Sequence, residues 1–190
     1  MIGHCAMRLF TGLDIPDEAR AQAAALIDRL RAVSPARWSP PENLHITTKF
    51  IGEWPEARLD ELRERLSDVA APGPLTVRLG SVGWFPNPHQ PNILWIAVAE
   101  PGGLAGLAAA TEDRLAAAGI AREERRYTPH LTLARLGRRD GAPPVNVVAL
   151  RRELALHEPP VFAPFEAREF HLYASAGGRY TRLAAFPLTL

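Results

Sequence analysis

Two short segments of the sequence carry the same pair of reactive side chains, His45-Ile46-Thr47-Thr48 and His130-Leu131-Thr132-Leu133. Each lies in an apolar run with the β-branched, alternating composition of a strand, and we expect each strand to end at a glycine, Gly52 or Gly137. Because side chains alternate between the two faces of a strand, the histidine and the threonine of one motif point the same way. Each strand therefore offers one imidazole and one hydroxyl on a single face.

Two imidazoles that face one cleft form a natural acid–base pair. With an unperturbed pKa of about 6.5, one histidine can be neutral and the other protonated at physiological pH. The neutral imidazole accepts a proton from a nucleophile, the protonated one gives a proton to a leaving group, and the hydroxyls bind phosphoryl oxygens. A single His-x-Thr motif occurs by chance. The pairing of His45 with His130 and of Thr47 with Thr132 favours in-line attack on a phosphodiester, without a metal ion.

The two motifs belong to an internal duplication whose constant offset carries His45 onto His130. Residues 7–52 and 92–137 align without a gap and share 14 identities in 46 positions, nine of them other than alanine. The matches include Asp28-Arg29-Leu30 with Asp113-Arg114-Leu115 and Arg37 with Arg122. A duplication of this kind predicts one domain, residues 1–190, with two pseudo-symmetric lobes that each contribute one motif to a shared cleft.

Composition limits the classes of function. The chain has 190 residues, 47% hydrophobic and 23% charged, with a formal net charge of +1, so no overall basic field favours nucleic-acid binding and any RNA must be recognised locally. The single cysteine, Cys5, excludes an internal disulfide and a thiolate metal cluster and fits a reducing cytosol. No apolar run approaches the roughly 20 residues of a membrane span. We expect a cytoplasmic monomer with no membrane contact, and we assign no function to the short extension Met1–Ala6.

Strand and helix patterns alternate along the chain and predict an α+β fold with helices outside. The strands are predicted at residues 7–13, 44–51, 75–85, 92–99, 128–136, 165–174 and 180–188, and the helices at 18–33, 55–69, 102–118 and 145–156. Other catalytic motifs are absent: there is no Gly-x-Ser-x-Gly elbow, glycine-rich phosphate loop, dinucleotide fingerprint or His-Glu-x-x-His run. A zinc site on the two motif histidines would need a third ligand that neither motif supplies. The other histidines, expected to be structural or exposed, are His4, His89, His157 and His171.

Together these residues resemble the two-histidine (2H) phosphoesterase superfamily, defined by paired His-x-Thr-x motifs in a duplicated fold. Within it the chain resembles the RNA 2′,3′-cyclic phosphodiesterases, also called 2′-5′ RNA ligases. The resemblance covers nearly the whole chain. It rests on Met7-Arg8-Leu9-Phe10, on the segment from Pro41 to Gly52, on Pro129-His130-Leu131-Thr132-Leu133-Ala134-Arg135 and on a closing strand at residues 180–188. Thr48 departs from the apolar residue usual at its position.

The resemblance implies antiparallel sheets facing a central cleft and hydrolysis of an RNA 2′,3′-cyclic phosphate to a 2′-phosphate, without a metal or nucleotide cofactor. It implies that His45 protonates the departing 3′ oxygen, that His130 activates water, and that Thr47 and Thr132 hold the nonbridging oxygens. It also implies that Phe10 and Arg135 lie near the terminal nucleotide, as a ring and a guanidinium that sandwich the base. Strict alternation puts Arg135 on the face opposite His130, so this role requires a twist or bulge.

Three alternatives stay open at this stage. The same cleft suits ATP-independent 2′-5′ joining of RNA ends, hydrolysis of a small cyclic nucleotide, or non-catalytic binding of RNA ends. Intact paired histidines disfavour the binding module, since arginine or lysine binds a phosphate better. Water is far more abundant than a 5′-hydroxyl end, which favours hydrolysis over joining. Trp38 and Tyr127, which precede the motif strands, suit either packing or the rim of the cleft.

Overall fold

The computed structural model of the chain describes residues 6–70, 73–99, 103–137, 141 and 143–189. The predicted extension lies outside the described residues except for Ala6. The helices are α1 (Asp17–Arg31), α2 (Leu59–Ser67), α3 (Gly103–Ala116) and α4 (Val147–Ala155), with short 3-10 turns at Pro41–Asn43 and Glu56–Arg58. The strands are β1 (Ala6–Asp14), β2 (Arg37–Trp38), β3 (His45–Pro55), β4 (Leu75–Phe85), β5 (Ile93–Ala99), β6 (His130–Arg135), β7 (Phe165–Ala167), β8 (Glu169–Ala176) and β9 (Arg179–Pro187).

The strands form one antiparallel path in the order β7-β4-β5-β6-β3-β1-β8-β9, with β2 paired to β6. This architecture confirms the predicted α+β class. The two halves of the path meet between β3 and β6, the strands that carry the two motifs. The junction is a single residue pair, Ile46 opposite Leu131, so the strands diverge on either side of it. A cleft between them is the consequence.

Elements related by the sequence duplication occupy equivalent places in the two halves. β1 and β5 lie next to the motif strands β3 and β6, and α1 and α3 follow them in the chain. The two halves differ in how the chain builds them. β4, β5, β6 and β7 follow one another in the sequence, whereas the other half combines β1 and β3 with β8 and β9 from the far end of the chain.

A fully buried row of apolar side chains crosses the middle of the sheet. Leu13, Ile46, Leu131 and Ile96 are paired in register across β1, β3, β6 and β5, and none exposes more than 1% of its surface. Helix α1 contributes to the same core the apolar residues whose spacing predicted it, Ala19, Ala23, Leu26, Ile27 and Leu30. Acidic residues in the first turn of α1 and arginines in its last turn suit the helix dipole. The buried row fixes the register that positions the two motifs.

Two boundary predictions are wrong. β3 does not end at Gly52 but continues to Pro55, because Ile51 is an extra residue that bulges out of the pairing with β1 and Gly52 adopts a φ of +83°. Glycine tolerates this left-handed conformation without the strain a Cβ would cause. β6 ends at Arg135, before Gly137. No helix in the described segments has the length and apolarity needed to cross a membrane.

Candidate active site

The register of the motif strands arranges the four motif side chains as a rectangle. Ile46 pairs with Leu131 in antiparallel orientation, so the next residues on either side set His45 across from Thr132 and Thr47 across from His130. Since side chains alternate, all four lie on the face opposite the buried row. The two imidazoles therefore occupy one diagonal and the two hydroxyls the other, around the point where the strands begin to diverge.

Both imidazoles are oriented by the same local contact. His45 Nδ1 lies 2.6 Å from the carbonyl oxygen of Asn43, and His130 Nδ1 lies 2.7 Å from the carbonyl oxygen of Thr128. Because a carbonyl only accepts, Nδ1 carries the proton in each ring, and Nε2 is the nitrogen left to exchange protons. His45 Nε2 lies 2.9 Å from the Thr47 hydroxyl, whereas His130 Nε2 has no hydrogen-bond partner within the described segments.

Each motif strand has a β-bulge at the equivalent position, and the bulge brings a later residue of the strand, Phe50 or Arg135, onto the face that carries the histidines. Thr48 is an extra residue in the pairing of β3 with β1, and Leu133 is an extra residue in the pairing of β6 with β5. After each bulge two consecutive residues are buried and the alternation of faces is reset. Phe50 and Arg135 consequently lie on the same face as the histidines, and both are exposed. The bulge that a role for Arg135 requires is present.

Burial and positive charge lower the pKa of both motif histidines. Burial lowers the pKa of His45 to about 4, and the charges of His130, Arg135 and Arg20 add to the effect. The pKa of His130 is also lowered from its ordinary value of 6.5, chiefly by burial and then by the charge of Arg135. In the free protein both imidazoles are therefore neutral at pH 7, and an acid role requires that one of them take up a proton.

Aromatic rings surround His45 on the side of β1, β8 and β9. The Phe10 ring centroid lies 4.7 Å from that of His45, and Tyr173 and Tyr180 pack against Phe10 at 5.0 and 4.9 Å. Phe10 itself is only 3% exposed, so it supports the imidazole from below rather than presenting a free face. Phe50, 6.2 Å from Phe10 between ring centroids and 56% exposed, is the open ring in this wall.

Phe50 lies outside the residues that the motifs indicate, although the duplication carries a signal for it. Phe50 aligns with Arg135 in the duplication and so occupies the equivalent place in the other copy. The predicted alternation of faces hid its position, because the bulge at Thr48 is not apparent from the sequence. The same bulge explains the position of Thr48. Its side chain is buried, and its hydroxyl lies 2.7 Å from that of Thr11, within hydrogen-bond distance.

The wall beside His130 is built from β4 and β5. Trp95 and Phe85 stack with ring centroids 4.6 Å apart, and Phe85 meets His130 edge-on at 5.1 Å. The Trp95 ring lies flat over Gly83, where an added Cβ would come within 2.4 Å of the indole. Gly12 has the corresponding constraint in the other half, since a Cβ there would lie 2.7 Å from the carbonyl oxygen of Ile46 and 3.3 Å from the His45 ring. Both glycines allow close packing around a motif histidine.

Hydroxyl groups from the lead-in segments hold the backbone of the two motifs. Ser39 lies in the lead-in segment before the first motif, and its hydroxyl donates a hydrogen bond to the carbonyl oxygen of Thr132 at 2.8 Å. The Tyr127 hydroxyl, which precedes the second motif, donates to the carbonyl of Thr47 at 2.9 Å. The backbone of each motif threonine is thus held by a side chain from the segment that precedes the other motif. Trp38 and Tyr127, for which packing and a place on the rim are both open from the sequence, are partly buried and pack against the core.

A polar network lies beneath the aromatic wall. The Tyr173 hydroxyl and the Arg182 guanidinium both donate to the carboxylate of Asp14, and burial raises the pKa of Tyr173 to about 12. His171 is buried, with Nε2 2.9 Å from a Glu169 carboxylate oxygen, as the expectation of a structural role requires. Within the described segments, no group of three or more histidine, cysteine, aspartate and glutamate side chains is placed to hold a metal ion.

Comparison with known proteins identifies the family. The model of the family described as LigT-like phosphoesterase matches residues 13–95 and again residues 96–180. A protein of Archaeoglobus fulgidus named RNA 2′,3′-cyclic phosphodiesterase is 35% identical over 169 residues, which cover 89% of this chain and 91% of the relative. A protein of the same name from Thermus thermophilus is 39% identical over 141 residues, covering 68% of each chain.

Solved structures share the fold over nearly the whole chain. The crystal structure of the Thermus thermophilus protein TT0787 has a TM-score of 0.75 and 28% identity, covering 96% of this chain and 98% of its own. That of Escherichia coli LigT complexed with 3′-AMP has a TM-score of 0.74 and 27% identity, covering 98% of this chain and 100% of its own. The resemblance inferred from the two motifs is confirmed: the chain belongs to the LigT-like phosphoesterase family.

Proposed function

We propose that the protein hydrolyses RNA ends that carry a 2′,3′-cyclic phosphate, leaving a 2′-phosphate. The observation that supports this most strongly is the diagonal placement of two imidazoles, each with its Nδ1 proton bound to a carbonyl and its Nε2 directed to the cleft. Several relatives named RNA 2′,3′-cyclic phosphodiesterase support the same reaction for this chain. The proposal includes one domain of two pseudo-symmetric lobes, with motifs at residues 45–48 and 130–133.

In the proposed reaction a water molecule attacks the phosphorus of the cyclic diester. His130 Nε2 takes a proton from that water as the new P–O bond forms. The bond between phosphorus and the 3′ oxygen breaks, and protonated His45 donates its Nε2 proton to that oxygen. Thr47 and Thr132 donate hydrogen bonds to the nonbridging oxygens, where negative charge grows in the transition state. The product has a 2′-phosphate and a free 3′-hydroxyl, and the two histidines exchange protons with solvent to begin again.

The assignment of acid and base follows from how water reaches the two rings. His45 lies against three aromatic rings and its Nε2 is already hydrogen-bonded to Thr47, so bulk water has little access to it. His130 Nε2 has no partner in the part of the chain that the structure describes, which leaves it free to receive a water molecule. This difference supports His130 as the base that activates water and His45 as the acid.

The bound substrate supplies the condition for His45 to act as an acid. In the free protein burial holds the pKa of His45 at about 4, so the ring is neutral at pH 7. A phosphodiester carries a negative charge, and an anion placed within about 4–6 Å of an imidazole favours the protonated form and raises its pKa. The proton on His45 is therefore taken up together with the substrate, and the charge of the substrate offsets the repulsion from Arg135.

The terminal base of the RNA substrate fits between Phe50 and Arg135, the exposed residues that follow the two bulges. Arg135 and Phe50 are exposed on the cleft face on either side of the motif rectangle, and Phe10 supports Phe50 from beneath. Guanidinium and phenyl groups both stack on nucleobases and tolerate any base identity. Phe10 thus contributes to substrate binding through Phe50 and through His45.

Turnover of histidine variants tests the proposal. We expect the wild-type protein to open an RNA 2′,3′-cyclic phosphate in the presence of EDTA, and His45→Ala and His130→Ala each to lose the activity by at least a thousandfold. His157→Ala is the matched control, because His157 lies on the surface and pairs with Glu153 at 3.0 Å. Substantial activity in either motif variant would contradict the acid–base pair, and strong inhibition by EDTA would contradict a metal-independent reaction.

A small cyclic nucleotide is the second candidate substrate. Escherichia coli LigT forms a complex with 3′-AMP, and the net charge of +1 of this chain provides no overall attraction for a polyanion. The chemistry of the site is the same for both substrates. The choice between them depends on whether the protein recognises a part of the RNA beyond the terminal nucleotide.

A further inference from the structure

Two arginines lie side by side at the edge of the cleft. Arg37 on β2 is the direct cross-strand partner of Arg135 on β6, so their side chains point to the same face of the sheet. Both are exposed, and the next pair, Trp38 with Ala134, points to the core instead. Like charges placed directly opposite each other destabilise a strand pair. An arrangement of this kind is favourable when an anion lies between or beside the two guanidinium groups.

Neither guanidinium is neutralised within the described segments. Arg37 and Arg135 make no ion pair or side-chain hydrogen bond there, whereas many other arginines of the chain pair with a carboxylate. The charge of Arg135 reaches both motif histidines, because it lowers the pKa of each. Arg37 extends this positive edge by one strand, away from the histidines.

The duplication provides an internal comparison for Arg37. Its counterpart in the second copy, Arg122, pairs with Asp113 at 2.6 Å. The equivalent of Asp113 is Asp28, which pairs with Arg31 at 3.1 Å rather than with Arg37. In the second copy the arginine is thus neutralised by the aspartate of the same copy. In the first copy the equivalent aspartate pairs elsewhere, and Arg37, beside Arg135, has no carboxylate partner within the described segments.

We propose that Arg37 binds the phosphate that joins the terminal nucleotide to the preceding one, so that the protein prefers an RNA strand to a mononucleotide. The inference rests on the proposed function. With the cyclic phosphate over the motif threonines and the terminal base against Arg135, the nearest further anion of the substrate is that phosphodiester. A guanidinium binds phosphate oxygens through two parallel N–H donors, which makes arginine suited to this contact. Arg37 determines specificity and takes no part in the bond-breaking step.

Three substrates separate this phosphate from the rest of the RNA: adenosine 2′,3′-cyclic phosphate, the same nucleotide with a 5′-phosphate, and a diadenosine dinucleotide with a 2′,3′-cyclic phosphate end. We expect Arg37→Ala to lower kcat/KM about tenfold for the two substrates with the additional phosphate and to leave the first unchanged. Arg37→Lys should retain part of the preference. Arg122→Ala, the matched control, should behave as wild type on all three. The loss of kcat/KM caused by Arg37→Ala should become smaller as the salt concentration is raised, because salt weakens the phosphate contact that the wild-type protein makes and the variant lacks.

Each other outcome overturns a defined part of the account. Equal losses on all three substrates, or none, would overturn the role of Arg37 while leaving the proposed hydrolysis intact. A loss confined to the dinucleotide would overturn the assignment to a phosphate and indicate contact with the second nucleoside. A wild-type protein that cleaves none of the three would overturn the proposed function and this inference together.

Discussion

The hydroxyl of Ser39 donates a hydrogen bond to the carbonyl oxygen of Thr132, 93 residues later in the chain, at a distance of 2.8 Å. Tyr127 makes the reciprocal contact with the carbonyl of Thr47 at 2.9 Å. Each lead-in segment thus fixes the backbone of the opposite motif. Because the rectangle of histidines and threonines spans two strands joined by a single residue pair, these two contacts add to the pairing of β2 with β6 in holding the halves of the site together.

Removing one of these hydroxyls tests their role in positioning the motifs. We expect Ser39→Ala and Tyr127→Phe to lower kcat by about three- to tenfold with little change in KM, since a neutral hydrogen bond contributes about 1 kcal/mol. Ser67→Ala is the control, because Ser67 makes the same kind of bond, to the carbonyl of Glu64 at 2.7 Å, at an exposed position of α2. A fall in thermal stability with unchanged kcat would contradict a positioning role.

The threonine hydroxyls are expected to contribute to the rate rather than to the fold. Thr47→Val and Thr132→Val keep the shape of the side chain and remove the donor, and we expect each to lower kcat by roughly 10²-fold, as loss of one oxyanion donor does elsewhere. Thr48→Val is the neighbouring control, because the Thr48 hydroxyl bonds Thr11 on the opposite face. We expect Thr48→Val to cost about 1 kcal/mol of unfolding free energy and to leave kcat unchanged.

The lowered pKa values of the histidines predict an acidic optimum for kcat/KM, which reports the free protein. The protonated fraction of His45 falls as the pH rises above about 4, and the neutral fraction of His130 falls as the pH drops below its own lowered pKa. Both limbs of the bell-shaped profile therefore lie below pH 6.5. The profile of kcat, which reports the substrate complex, should be shifted to higher pH. A maximum of kcat/KM above pH 7.5 would contradict these values.

The charge of Arg135 offers an independent test of the same profile. Arg135 lowers the pKa of both histidines, so Arg135→Gln should move both limbs of the kcat/KM profile to higher pH, in addition to any loss of substrate affinity. Arg122→Gln removes the same charge from an ion pair with Asp113 and should leave the profile in place. Identical profiles for Arg135→Gln and the wild type would show that its charge does not act on the histidines.

Burial of neutral His45 makes the fold sensitive to acid. The folded pKa of about 4 lies below the unfolded value of 6.5, so the unfolded chain binds the proton first and stability is lost as the pH falls from about 6.5 to about 4. The full shift corresponds to about 3 kcal/mol. We expect His45→Gln to reduce the loss of unfolding free energy between pH 7 and pH 4, measured by urea denaturation, by an amount of that order. An unchanged pH dependence would contradict a strongly lowered pKa.

The residues that we propose to react are apparent from the sequence, whereas the residues that support them are not. The paired motifs and the constant offset between the two copies predict which imidazoles and hydroxyls share a cleft, because period and register are properties of the strands themselves. The bulges at Thr48 and Leu133 depend on pairing with β1 and β5, so strict alternation concealed Phe50 and put Arg135 on the wrong face. The contact of Ser39 with Thr132 joins distant parts of the chain, and no local pattern indicates it. A glycine in the sequence suits both the end of a strand and a bulge with positive φ, and at Gly52 the structure has the bulge.

The position of the phosphate in the product is the most direct test of the reaction. An RNA oligonucleotide ending in a 2′,3′-cyclic phosphate is incubated with the protein in EDTA, and the product is examined by ³¹P NMR. The proposed mechanism, in which His45 protonates the 3′ oxygen and His130 activates water, predicts a 2′-phosphate only, and predicts that it is not formed by His130→Ala. A 3′-phosphate, or a 2′-phosphate still formed at the wild-type rate by His130→Ala, would contradict it.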